Sequence, residues 1–165
     1  MFGRTKKEIT IHTELQKEIW PVDVDQGQIE QVLLNLFVNS SQAMPNGGYL
    51  YITTENITLD AGYTQKLGAN PGNYVKTSIR DTGLGMDEST LHRIFDPFFT
   101  TKAMGRGTGL GLASVYGILK NHGGFINVES ERNKGSLFSF FLPVSSKKIV
   151  RENESAIEHI EEILK

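Results

Sequence analysis

The chain has 165 residues, enough for one compact domain that buries roughly 70% of its unfolded surface; with 38% hydrophobic residues, 22% charged and a net charge of −2 it offers no basic field for nucleic acid. It has no cysteine, which excludes disulfides, cysteine-ligated zinc and thiol catalysis. No apolar run approaches the roughly 20 residues needed to cross a bilayer, and the polar opening Gly3-Arg4-Thr5-Lys6-Lys7-Glu8 is no signal peptide, so a soluble piece without membrane contact is expected.

Residues 1–7 read as a linker. Over 8–15, Ile9, Ile11, Thr13 and Leu15 alternate with polar residues and predict a half-buried strand. A short extended stretch, 19–24, passes through Pro21. Asp25 stands as an N-cap with Gln28 three residues on; the apolar spacing then predicts a long helix to Met44, stopped by Pro45-Asn46-Gly47-Gly48. Strands are predicted over 49–59 and 74–81, an antiparallel pair across a loop with Gly, Asn and Pro. Residues 87–94 read as a short helix, and 96–107 lose all periodicity, as a functional loop does. Helical spacing returns over 109–121 through Leu112, Val115 and Leu119, with His122-Gly123-Gly124 as its stop. Two last strands, 125–130 and 136–142, meet at a turn containing Asn133 and Gly135. Residues 145–165 shift to charge, with apolar residues too sparse for a core, and read as a linker with a short helix. The sum over 8–144 is an α/β (α+β) two-layer sandwich, a mixed, mainly antiparallel sheet of about five strands with about three helices on one face.

Four constellations carry chemistry. The long helix is apolar almost all round, through Ile29, Val32, Leu33, Leu34, Leu36, Phe37 and Val38, and is expected to be buried on most sides. Yet Gln28, Gln31, Asn35, Asn39 and Gln42 share an arc of roughly 80° at about 100° per residue, a stripe that either faces a hard cation and phosphates or is simply the wet face. Val75, Thr77, Ile79 and Asp81 share one strand face, so Asp81 emerges beside apolar residues and needs a partner. Gly83 and Gly85 follow, where backbone can approach a flat ligand and the carboxylate can accept from an exocyclic base amine; the plain alternative is an Asp-Thr-Gly turn. Gly105-Arg106-Gly107-Thr108-Gly109-Leu110-Gly111 leads into a helix N-terminus, an anion site, but fits neither a P-loop nor a dinucleotide fingerprint; a flexible hinge is the alternative. Just ahead of it, Phe95, Phe98 and Phe99 beside Lys102 read as a latch or an interface, with a small satellite core as the plain alternative, and Lys102 and Arg106 could close over phosphates.

In order, the stretches Gln31-Val-Leu-Leu-Asn-Leu-Phe-Val-Asn-Ser-Ser-Gln-Ala-Met44, Asp81-Thr-Gly-Leu-Gly-Met86, Phe95-Asp-Pro-Phe-Phe-Thr-Thr-Lys102 and Gly107-Thr-Gly-Leu-Gly-Leu112 resemble the N, G1, F and G2 boxes of the sensor histidine kinase catalytic domain. The resemblance covers 8–144 and implies a Bergerat-type ATP fold, as in gyrase-type topoisomerases, mismatch-repair ATPases and heat-shock chaperone ATPases. It implies ATP and Mg2+ as cofactors, with Asn39 on magnesium, Asn35 at the phosphates and Asp81 on adenine. Gly83 and Gly85 would shape the base pocket. Gly107, Thr108, Gly109, Leu110 and Gly111 would sit against the phosphates under a lid carrying Phe98, Phe99 and Lys102, with Asn39 and Lys102 the catalytic pair. Gln42-Ala43-Met44 stands where many members carry a basic residue, and this is similar to the nitrogen-regulation branch. His12, His92, His122 and His159 all lack the setting of a phosphorylated histidine, and His122 reads as a helix-end residue. The resemblance therefore implies a cytoplasmic piece whose acceptor is a histidine on a separate dimerisation hairpin, with a response regulator receiver domain downstream. A serine kinase or ATPase of the same superfold, or a non-catalytic nucleotide-binding module, are the rival expectations.

Overall fold

The computed structural model describes residues 8–97, 99, 111–146 and 162–163. One sheet holds β1 (Ile9–Leu15), β2 (Gly48–Leu59), β3 (Gly72–Asp81), β4 (Phe125–Glu131) and β5 (Gly135–Pro143) in the order β1-β2-β3-β5-β4. The helices are α1 (Gln26–Gln42), α2 (Ala61–Gln65), α3 (Glu88–Leu91) and α4 (Gly111–Asn121). β1 runs parallel to β2, a pairing that needs a crossover, which α1 supplies; the other pairs are antiparallel, with Ile79 opposite both Ile52 and Phe138.

Asp25 caps α1 as its sequence predicts, its carboxylate accepting the Gln28 N–H at 3.0 Å. Ile29, Val32, Leu33, Leu36 and Ser40 recur at three- and four-residue spacing and form the buried stripe. The helix stops two residues before Met44: the Ala43 N–H is shared between the Asn39 and Ser40 carbonyls, and Met44 turns into the core. One expectation is corrected. α1 is not buried on most sides, because Leu34 and Val38 are 53% and 45% exposed. In a two-layer structure the helix rests on the sheet and on α4, and its remaining flank faces water.

The stripe of α1, with Val115 and Leu119 of α4, closes on Ile52, Ile79, Phe138, Phe140 and Leu142, which share one face of the sheet. The reverse face carries a smaller cluster of Leu59, Tyr74, Phe125 and Phe141, with Phe125 stacked on Phe141 at 4.5 Å between centroids. β5 is thus buried on both faces, which suits its near-continuous apolar run.

α2 is an element the sequence reading lacks, since five residues are too few to show a helical period; Asp60 caps it, accepting the Tyr63 N–H at 2.9 Å. It stands on the reverse face, with Tyr63 against Phe141. The helix predicted over 87–94 is a single capped turn, with turns from 92 to 95. β1 is more exposed than a half-buried strand, Ile11 being 47% exposed at the sheet edge. Asn133 and Gly135 make the predicted β4–β5 turn with φ of 67° and 93°. Most of the 96–107 loop, residues 109–110, residues 1–7 and most of 145–165 lie outside the described residues.

Candidate functional site

Along the polar stripe of α1, Gln31 donates from Nε2 to Asn35 Oδ1 at 3.0 Å, and Asn35 donates from Nδ2 to the Gly111 carbonyl at 3.2 Å. The stripe is therefore more than a wet face, because it holds the first residue of α4. The first N–H groups of an α-helix have no partner within it, so this contact fixes where such donors stand relative to α1. Asn39 lies one turn further on the same face, about 6 Å along the axis at 1.5 Å per residue. Its amide makes no hydrogen bond to another described residue. Gln28 belongs to the capped first turn of α1, and Gln42 is exposed at the last.

Next to Asn39, Ser40 points the other way, into the core, where it is fully buried. Asp81 ends β3 on the same core-facing side as Ile79 and is 1% exposed. Its Oδ1 accepts the Gly83 N–H at 2.9 Å. Among the described residues, neither Asp81 Oδ2 nor Ser40 Oγ has a well-formed hydrogen bond. Burial pushes the Asp81 carboxyl above its usual range; the Gly83 N–H, the nearby Ser40 hydroxyl and the Ser136 N–H pull it back only in part. A buried oxygen left without a donor costs about 1–3 kcal/mol, more if charged, so this pair suits a ligand that brings one.

The turn after Asp81 threads between two neighbours. A side chain at Gly83 would collide with the Ala43 carbonyl at the end of α1, which accepts the Leu84 N–H at 2.9 Å. Gly85 has φ of 66°, and a Cβ there would strike the Glu131 carbonyl. Met86 donates its N–H to Ser130 Oγ at 2.8 Å, so the segment is sewn to the β4–β5 hairpin. Asp81 is therefore held from both sides, against α1 and against the hairpin.

Of the phenylalanine cluster, Phe95 packs against the main core and Tyr116, and Phe99 lies under the Arg93 guanidinium at 4.6 Å from its ring centroid. Phe98, Lys102, Arg106, Gly107, Thr108, Gly109 and Leu110 lie outside the described residues. The structure thus brings Asn35 to Gly111 and Ser40 to Asp81, with Asn39 between the two contacts along α1. Ser40 is the member the sequence reading missed. Its signal was a hydroxyl four residues after Leu36, at a position of the apolar stripe. His122 is a helix-end residue as expected, but it also reaches across to α1, accepting the Asp25 N–H on Nε2 at 3.1 Å.

A five-stranded mixed sheet backed by two long helices, with a buried carboxylate and glycine turn at a strand end packed against the end of α1, is the architecture of the Bergerat-type ATP-binding domains. The chain belongs to the histidine kinase-, DNA gyrase B- and HSP90-like ATPase family, whose profile matches residues 24–146. It is 46% identical over 138 residues to the sensor kinase CckA of Brucella abortus (strain 2308), covering 83% of this chain and 15% of that protein. Sporulation kinase E of Bacillus subtilis (strain 168) is 36% identical over 146 residues, 88% of this chain and 18% of that protein. The sensor histidine kinase ZraS of Escherichia coli (strain K12) is 37% identical over 139 residues, 84% and 26% of the two chains. The chain thus spans between 15% and 26% of these relatives' lengths. Among solved structures, a nucleotide-free catalytic domain of the histidine kinase ThkA matches with TM-score 0.64 at 34% identity, over 82% of this chain and 79% of that one. Full-length ShkA in complex with AMPPNP matches with TM-score 0.66 at 28% identity, over 86% and 27%.

Proposed function

We propose that this chain is the catalytic domain of a sensor histidine kinase, which binds ATP with Mg2+ and donates the γ-phosphate to a histidine on a dimerisation hairpin. The observation that carries the reading is Asp81, a buried carboxylate with one oxygen satisfied by Gly83 and the other without a well-formed hydrogen bond among the described residues. An exocyclic amine of adenine supplies the donor that oxygen lacks, while Gly83 and Gly85 let the turn close against the Ala43 and Glu131 carbonyls and so shape the base pocket around Asp81. The names of the relatives, sensor kinases and histidine kinases, support the acceptor.

The residues take these parts. Asn35 and Gly111 stand at the phosphates, with Gly107, Thr108, Gly109 and Leu110 wrapping them and Phe98, Phe99 and Lys102 belonging to the lid. Magnesium fits Asn39, whose amide oxygen is not engaged by a described residue; no cluster of three or more His, Asp or Glu side chains suited to a metal occurs among the described residues, so the other ligands would be phosphate and water. Bound there, the ion would neutralise charge on the phosphate oxygens. Asn35 and the first turn of α4 orient the triphosphate, and Lys102 balances charge developing at the γ-phosphoryl group. A ring nitrogen of the acceptor imidazole gives its lone pair to the γ-phosphorus as the bond to the β,γ-bridging oxygen breaks. ADP leaves with that electron pair.

Residues 8–144 form this domain in our reading, with 1–7 and 145–165 as linkers. No described helix is long and apolar enough to cross a membrane. We place the domain in the cytoplasm, where the phosphohistidine passes its phosphoryl group to an aspartate of a response regulator receiver domain. The test is to mix this chain with a histidine-bearing hairpin and γ-labelled ATP. An acid-labile phosphoprotein supports the reading. An acid-stable product points to a serine kinase of the same superfold, and no transfer at all to a binding module.

A further inference from the structure

α1 and α4 lie antiparallel and are tied at both ends by a side chain of one on the backbone of the other. At one end Asn35 donates to the Gly111 carbonyl at 3.2 Å. At the other, the Asp25 N–H donates to His122 Nε2 at 3.1 Å, and His122 Nδ1 lies 2.7 Å from the Ile118 carbonyl oxygen. The roles follow from the partners. A backbone N–H can only donate, so Nε2 accepts; a carbonyl can only accept, so Nδ1 carries the proton. The neutral Nδ1–H imidazole satisfies both contacts at once.

The imidazole is not needed to end α4. Gly123 donates to the Lys120 carbonyl at 3.0 Å and Gly124 to the Leu119 carbonyl at 2.8 Å, with Gly123 at φ of 73°. That is a complete glycine stop, with which a side chain of many kinds would be compatible. What the ring adds is the bridge to the N-cap of α1, across 97 positions of sequence.

We propose that His122 is a positioning residue for the nucleotide site, holding α1 in register against α4 so that Asn35, Asn39 and Gly111 stay aligned on one set of phosphates. This rests on the nucleotide-binding reading above. Asp25 to Asn35 is ten residues and Gly111 to His122 eleven, so His122 acts over about 15 Å of helix on each side at 1.5 Å per residue. With that end untied, side-chain packing and the Asn35 contact remain between the two helices. The Asn35–Gly111 contact then becomes a pivot, and rotation about it turns the first N–H groups of α4 away from Asn39, where misplacements near 1 Å are costly.

The test uses His122→Gln and His122→Asn, polar variants that leave the glycine stop in place. Gln carries an acceptor oxygen at the reach of Nε2 and restores the Asp25 contact; Asn reaches only the Ile118 side. ADP is titrated calorimetrically into each variant and the unsubstituted chain, with folding checked by circular dichroism at the titration temperature. The expected result is binding by His122→Asn weakened about fivefold, the worth of one hydrogen bond, with His122→Gln within about twofold of the unsubstituted chain. Equal affinity in all three, even with a lowered melting temperature in the variants, would leave His122 a helix-end residue and overturn the inference, as would the reverse order. ADP failing to bind the unsubstituted chain would overturn the nucleotide reading and this inference with it.

Discussion

Replacing Asp81 with Asn separates the needs of the fold from those of the ligand. The amide is isosteric, and its oxygen can keep the Gly83 N–H that Oδ1 accepts at 2.9 Å. At the Oδ2 position it presents an N–H donor in a place where the carboxylate oxygen has no well-formed bond among the described residues. The folded protein loses a buried charge with raised pKa, so its stability is expected to hold or rise. Adenine meets the opposite. The hydrogen bond from its amine to a charged acceptor, worth about 1.5–3 kcal/mol, is gone, and two donors face each other, leaving buried groups unsatisfied at about 1–3 kcal/mol. A total near 3–5 kcal/mol corresponds to affinity lower by about a hundredfold to a thousandfold or more. Thermal unfolding without nucleotide and calorimetric titration of ADP measure the two sides. Asp81→Asn that binds ADP within about threefold of the unsubstituted chain would refute the assignment of Asp81 to the base, and loss of binding together with loss of the fold would refute its separation from stability.

Two further outcomes follow from the same geometry. Gly85→Ala puts a Cβ at φ of 66° against the Glu131 carbonyl and should destabilise the domain by about 2–4 kcal/mol, the left-handed penalty plus overpacking, read by urea unfolding; a change under about 0.5 kcal/mol would contradict it. Because the folded Asp81 carboxyl has its pKa raised above 3.8, the folded state binds that proton more tightly than the unfolded one. Its destabilising effect is fully present above the folded pKa and is relieved as pH falls through that value toward 3.8, whereas ADP affinity should rise with pH over the same window as the carboxylate ionises. Asp87, held below 3.8 by the Thr90 N–H and hydroxyl and by Ser89, acts in the other direction and lower, its stabilisation being lost as pH falls through its folded pKa. Subtracting the pH profile of Asp81→Asn isolates the Asp81 contribution, and a flat difference would rule it out.

What the sequence made legible was local. The Asp25 cap, the glycine stop after α4 and the Asn133–Gly135 turn each depend on a few adjacent residues, and they stand where their chemistry puts them. The alternation through Val75, Thr77 and Ile79 likewise assigned Asp81 to the buried face. Composition alone misjudged α1, since Leu34 and Val38 are as apolar as Leu33 and only the number of layers leaves them exposed. The five residues of α2 are too short for any period to register. The part Ser40 plays depends on Asp81, and the reach of His122 to Asp25 depends on how two distant helices lie. Contacts of that kind are properties of packing, which periodicity does not encode.

The most direct test of the central claim is calorimetric titration of ADP and a non-hydrolysable ATP analogue, with and without magnesium, into this chain and into Asn39→Ala. The account predicts binding that magnesium strengthens in the unsubstituted chain, with that magnesium dependence lost in the variant. Binding indifferent to magnesium and to Asn39, or no binding of either nucleotide, would contradict it.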